Sequence, residues 1–282
     1  MRLGYGTWGM PKVPIAQAIA SIAALGYDGL ELAITPGWST ELYTLDHAAR
    51  LRIRQLLDQH NLPLMGIAGH STLCADDPEA HRTAMQRFRD GIDLAAELAA
   101  PAEKAILTSG VGGSPDQWEA QKERIAARLA EIGRYAEAQG VVLAVEPHCA
   151  STLNLPARAL WLLEQVAMPS VGLHFDISHM DVMGITVDEC VPLLAPYTMT
   201  THVKDQRGRY PNHEFLTPGE GPFDFVHYLQ AMAAAGYDGD IVIEVSVMVQ
   251  ARGDYDPFAH AALAYRTLAT AFEKASLPRN RG

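Results

Sequence analysis

Short apolar runs of four to eight residues alternate along the whole chain with longer stretches in which apolar positions recur every third or fourth residue. The first kind reads as buried strands and the second as amphipathic helices, because strand side chains alternate faces while a helix face repeats about every 3.6 residues. RLGYGT (2–7) leads into IAQAIASIAAL (15–25), and DGLELA (28–33) leads toward LDHAARLRIRQLLDQH (45–60). PLMGIAGH (63–70) and KAILTSG (104–110) lead to helical patterns over 78–100 and 114–139. Four further runs follow: VVLAVE (141–146), VGLHFD (171–176), TMTTHVKD (198–205) and DIVIEVS (240–246). Eight such units in series predict a single α/β (β/α)8 barrel. Gly26, Gly140 and Gly236 stand where left-handed helix C-caps are expected, and Asp46, Ser114 and Thr152 read as N-caps. The barrel is assigned to 1–275, and 276–282 to a short basic tail read as a solvated end. The longest stretch without a pattern, 204–223, reads as a functional loop.

The last four runs each end on a side chain that binds hard metals. Glu146, Asp176, His202 and Glu244 are separated by 30, 26 and 42 residues, each gap holding about one strand and one helix. A parallel barrel gathers the carboxyl ends of its strands on one rim, where its chemistry resides. Polar residues that merely cap strands are the alternative. Four ligand-type residues in succession argue against it, since three carboxylates repel one another unless a cation is present. The set predicts one divalent ion, Mn²⁺ first, with Co²⁺, Mg²⁺ or Zn²⁺ as other fits. His179 follows Asp176 by three residues, Lys204 and Arg207 follow His202, His70 closes the third strand, and Trp8 follows the first. These five are the expected substrate contacts, the cations suiting an anionic or polyhydroxyl molecule.

The net charge of −11 excludes a polyanionic partner, because nucleic-acid binding depends on clustered Lys and Arg. Three widely spaced cysteines without a CxxC pair give no disulfide framework, which fits a reducing cytoplasm. No apolar run approaches the roughly 18 residues of a membrane span, and MRLGYGTWGM looks like a strand and turn rather than a signal peptide. A GKS/T motif and a GxSxG elbow are absent. A dimer or tetramer is the default assembly for a barrel with exposed helices.

With VEPH at Glu146, HFDISH at Asp176 and His179, HVKDQRG at His202 and PGEGPFDF at 218–225, the chain resembles the xylose isomerase-like barrel superfamily. The resemblance runs from LGYDGLEL near the start to IVIEVS, in the branch of sugar phosphate isomerases and epimerases. It implies a metal-dependent isomerase or epimerase acting on a keto-sugar or related polyol, a small carbohydrate substrate. Glu146 and Glu244 would be both metal ligands and the acid/base pair, with His179 and Arg207 near substrate oxygens. Removing a proton beside a carbonyl gives an enediolate, which a divalent ion stabilises. Return of the proton to the other face, its return to the next carbon, or loss of a β-hydroxyl gives epimerisation, isomerisation or dehydration. Ketose 3-epimerases of this kind carry a second glutamate where this chain has Thr152, which keeps a keto-inositol (inosose) dehydratase open as the alternative. The abasic-site endonucleases of the superfamily need further histidines that LTSG and PNHEF do not supply. A non-catalytic binding barrel is opposed by the complete ligand set.

Overall fold

The computed structural model describes residues 1–101 and 103–280. All eight apolar runs become parallel strands: β1 (Arg2–Gly6), β2 (Gly29–Ala33), β3 (Leu64–Ala68), β4 (Ile106–Gly110), β5 (Val142–Glu146), β6 (Val171–Asp176), β7 (Thr198–Val203) and β10 (Asp240–Ile243). They close in the order β1-β10-β7-β6-β5-β4-β3-β2, the β1–β10 pairing of Arg2 with Asp240 through Tyr5 with Ile243 completing the ring. The outer layer is formed by α1 (Ile15–Leu25), α2 (His47–Gln59), α3 (Pro78–Leu98), α4 (Trp118–Ala138), α5 (Pro156–Val166), α7 (Val187–Leu194), α8 (Phe225–Ala234) and α10 (Pro257–Lys274). Two short helices, α6 (Ile177–Val182) and α9 (Val247–Gln250), follow β6 and β10 on the ligand-bearing rim.

The helices form for local reasons that the sequence carries. In α3 the side chain of Asp77 accepts from the amides of Glu79 and Ala80, and Pro78 opens the first turn. The buried Met85, Phe88, Ile92 and Ala95, spaced by three or four, give that helix its core face. Asp46 caps α2 through Ala49 N, and Gly26, Gly140 and Gly236 have φ of 92°, 68° and 82°, the left-handed conformation expected of them. No helix among the described residues is long and apolar enough to cross a membrane.

Three expectations are corrected. Thr152 caps no helix: it is buried, its hydroxyl donates to Gly112 O at 2.9 Å, and α5 starts only at Pro156. The 204–223 segment is not a plain loop, since β8 (Asp205–Arg209) and β9 (Asn212–Leu216) pair as an antiparallel hairpin over the rim. Beyond that hairpin, the carboxylate of Asp205 accepts from the amides of Gly219, Gly221 and Phe223 at 2.9–3.1 Å, which folds the PGEGPF segment against it. A Cβ on Gly221 would lie 2.3 Å from that carboxylate, so glycine is required there. Finally, the tail is docked where it was expected to be solvated. The Arg279 guanidinium grips both oxygens of buried Asp28 at 2.6 and 2.9 Å and Gly26 O at 2.6 Å, while Asn280 N donates to Met1 O. Arg281, part of the same basic cluster, lies outside the described residues.

Candidate active site

Register decides which side chains meet. Asp176 lies opposite His202 across the β6–β7 pair, and Gly110 opposite Glu146 across β4–β5. Because β10, β7, β6 and β5 are sheet neighbours in that order, Glu244 and Glu146 flank His202 and Asp176. The ligand atoms of all four lie within 4.8 Å of one another, the convergence predicted from the strand ends. Asp176 divides its two oxygens. Oδ1 accepts from Ser178 N at 2.8 Å and Ser178 Oγ at 2.6 Å, capping α6, which leaves Oδ2 facing the cluster. That cap also carries His179 into position, with Nε2 3.6 Å from both Glu146 Oε1 and Asp176 Oδ2.

Lys204 reaches further in than a substrate contact. Its ammonium is bonded to Asp176 Oδ2 and Glu244 Oε2 in the middle of the set, with the side chain only 2% exposed. Burial opposes its charge, but Asp176 and Glu244 outweigh this and hold the amine well above its usual value. The same contacts act on the acids: burial pushes the Glu244 carboxyl up, yet Lys204 and His202 together bring it well below its ordinary range. Asp176 is lowered likewise, Lys204 and His179 overcoming its burial. Glu146 goes the other way, raised chiefly by burial with Asp176 and Glu244 adding to it, so the two glutamates are driven apart.

Beneath the rim, a residue that the strand pattern did not single out orients the imidazole. Glu31 of β2 is 1% exposed and its Oε2 lies 2.7 Å from His202 Nε2, while His202 Nδ1 lies 3.3 Å from Glu244 Oε2. Held between two carboxylates, His202 is raised well above the usual imidazole value despite its burial. With Nε2 donating to Glu31, Nδ1 is the nitrogen turned to the three carboxylates; a carboxylate holding the other ring nitrogen is how metal-binding histidines are commonly oriented. Gly6 on β1, one of the two strands between β2 and β7, eases this reach, since a Cβ there would come 3.3 Å from Glu31 Oε2. His174, also unforeseen, packs edge-on against His202 with ring centroids 4.0 Å apart, and its pKa is driven well down by burial. A single ionisable residue inside the otherwise apolar GLELA was the available signal for Glu31.

Above the cluster opens a cavity of about 320 Å³, bordered by Trp8, His70, Glu146, His148, His179, Lys204, Glu244 and, from the hairpin, His213 and Phe215. Trp8 stacks on Trp38 at 4.2 Å and packs at a tilt against His70 at 4.4 Å. Among the described residues, Trp8 Nε1, His70 Nε2 and His179 Nδ1 are buried polar atoms without a protein partner. Burial pulls His148 and His179 down to about 4, keeping them neutral near pH 7. Arg207 does not join them. It is exposed on the hairpin and pairs with Glu214, its cross-strand neighbour, at 2.6 and 2.9 Å, because strand alternation turns it away from the cavity. A cleft of about 450 Å³ at the opposite end of the barrel, bordered by Arg2, Met65, Met199 and Asp240, has no comparable ligand set among the described residues.

The donor set suits a hard divalent ion: three carboxylates and one imidazole, with the carboxylates' mutual repulsion answered here by Lys204 and His202. Known proteins resemble this chain. Fructoselysine 3-epimerase of Shigella flexneri is 24% identical over 258 residues, covering 88% of this chain and 91% of that protein. A structure of D-psicose 3-epimerase in the presence of D-fructose superposes with a TM-score of 0.80 at 17% identity, covering 98% of this chain and 99% of that one. The IOLI protein with a binding zinc atom gives a TM-score of 0.81 at 17% identity over the same shares, a likeness of fold. The model of the xylose isomerase-like TIM barrel family matches residues 19–267, from the first helix to the last and across every strand that bears a candidate ligand, and the chain belongs to that family.

Proposed function

We propose that this protein is an epimerase or isomerase of an uncharged keto-sugar, dependent on one divalent metal ion and working through an enediolate. The observation that carries the reading is the placement of Glu146 and Glu244 on either side of Asp176 and His202, both bordering one cavity. Glu146, Asp176, His202 and Glu244 would hold the ion, which when bound supplies Lewis acidity toward a carbonyl and its neighbouring hydroxyl. One glutamate takes the proton beside the carbonyl, and the other, on the opposite flank, returns one to the other face. Trp8 Nε1, His70 and neutral His179 offer hydrogen-bonding atoms to the substrate's oxygens, and Phe215 on the hairpin screens the cavity from water. The substrate is read as uncharged because the cations nearby are engaged: Lys204 by Asp176 and Glu244, Arg207 by Glu214, and Arg252 by Glu214 and Glu220.

The test is a panel of free and phosphorylated ketoses with Mn²⁺-loaded protein in D₂O. Turnover of a free ketose with deuterium on the carbon beside the carbonyl is expected. Glu146→Gln and Glu244→Gln should each lower kcat by about 10²-fold or more, the scale of a positioned base, with a smaller loss of bound metal. Full activity in both variants would refute the assigned pair. One observation favours the keto-inositol dehydratase as a second reading: Thr152, buried against Gly112, brings no carboxylate where the ketose 3-epimerases carry theirs. A product lighter by one water would select it.

A further inference from the structure

The ammonium of Lys204 sits where a metal ion has to go. Of the two Asp176 oxygens, Oδ1 is committed to Ser178, and the remaining Oδ2 is the one that Lys204 holds. On Glu244 the oxygen shared by Lys204 and His202 Nδ1 is again a single atom, Oε2. The lysine therefore occupies the ligand atoms of the cluster itself. We infer that Lys204 is a built-in competitor of the metal: its ammonium balances the carboxylates in the metal-free protein and withdraws when a divalent ion takes Asp176 Oδ2 and Glu244 Oε2. The inference rests on reading the four-residue set as a metal centre.

The physical basis is the cost of leaving three carboxylates, two buried and one half-buried, together without a counter-charge, which an internal cation removes. The consequence is weaker metal binding, since an incoming ion must displace a cation already bonded to its ligands and then share the cavity with it. Lys204 borders that cavity, and its Nζ lies 5.2 Å from the centroid of the Phe215 ring, whose face attracts cations. A competitor and a structural ion pair differ in sign. Loss of a structural pair weakens the metal-free and metal-bound protein alike, whereas loss of a competitor destabilises only the former and tightens metal binding.

Lys204→Met keeps an unbranched side chain without the charge. Chelator-treated wild type and variant are compared by thermal melting and by calorimetric titration with Mn²⁺. The variant should melt at lower temperature without metal, bind Mn²⁺ about tenfold or more tightly, the scale of one charge-assisted hydrogen bond, and show a larger metal-induced rise in Tm. Equal or weaker Mn²⁺ binding by the variant, beside a wild type that binds, would overturn the competitor while leaving the metal centre standing. A wild type that binds no divalent ion would overturn the metal centre and the competitor with it. Should metal-free Lys204→Met fail to fold, Mn²⁺ is added to it and to Lys204→Gln: recovery of the wild-type circular dichroism supports the competitor, and no recovery in either variant overturns it.

Discussion

Glu31→Gln isolates the part played by the buried pair under the rim. The 2.7 Å contact between Glu31 Oε2 and His202 Nε2 joins two side chains that are each at most 3% exposed, so it is a charge-assisted hydrogen bond in a dry setting. Such a bond contributes about 1.5–3 kcal/mol, against about 0.5–1.5 for a neutral one. Glutamine can still accept from Nε2 through its amide oxygen, so the variant loses the charge and keeps the shape. The difference is on the order of 1–1.5 kcal/mol, or about tenfold in metal affinity, and Glu31→Ala, which loses the acceptor too, should cost up to about 100-fold, as outer-sphere partners of metal-bound histidines do. Stability of the metal-free fold should move much less in Glu31→Gln, because removing a buried carboxylate also removes its desolvation cost. Competition titrations against a fluorescent chelator read the affinity, and urea unfolding of the metal-free proteins reads the stability. Unchanged affinity would refute the orienting role, and equal losses in both measurements would reduce Glu31 to a general structural residue.

Arg279→Ala should destabilise the fold by about 3 kcal/mol, since it leaves Asp28 buried after losing the bidentate partner. For a chain of this size that is a fall in Tm of roughly 6 °C, and a shift under 1 °C in calorimetry would show the tail to be solvated after all. All three cysteines are buried, with thiols pushed up by burial, Cys149 to about 11 and Cys190 to about 12. No thiol should therefore react promptly with a disulfide reagent at pH 7.5, about the working pH of such assays, until denaturant exposes them. Incubation with a duplex containing an abasic site at low salt should give neither a shifted band nor a nick, given the net charge of −11, and robust nicking would point to the endonuclease reading.

The candidate ligand set was legible because each member ends an apolar run, and a parallel barrel turns four distant run ends into neighbours. Lys204 and Arg207 show where that reading stops. They lie three residues apart after the same strand, yet one points into the cluster and the other to solvent, a choice made by a hairpin that no apolar alternation announces. DQRGR and NHEFL are mostly polar because the hairpin lies on the rim rather than in the core. Glu31 was hidden for the opposite reason: inside GLELA it looks like one polar residue on a strand, and only closure of the barrel carries its carboxylate across Gly6 to His202. Arg279 was misread because composition marks a basic terminus as solvated, whereas the partner that holds it, Asp28, is 251 residues away.

The sheet order also divides the barrel by occupation. The four candidate ligands come from β5, β6, β7 and the end of β10, which form one unbroken arc, while Trp8 and His70 of the cavity wall come from the arc of β1 to β4. On the proposed function, one half-barrel carries the reactive groups and the other much of the surface that a substrate is measured against. Descendants of such a chain could exchange or drift in the first arc and change what they accept while inheriting the chemistry of the second intact. Glu31 is the tie across the seam: it sits in the selecting arc yet steadies His202 in the reactive one, so of all positions in the first half it is the one such divergence is least free to alter.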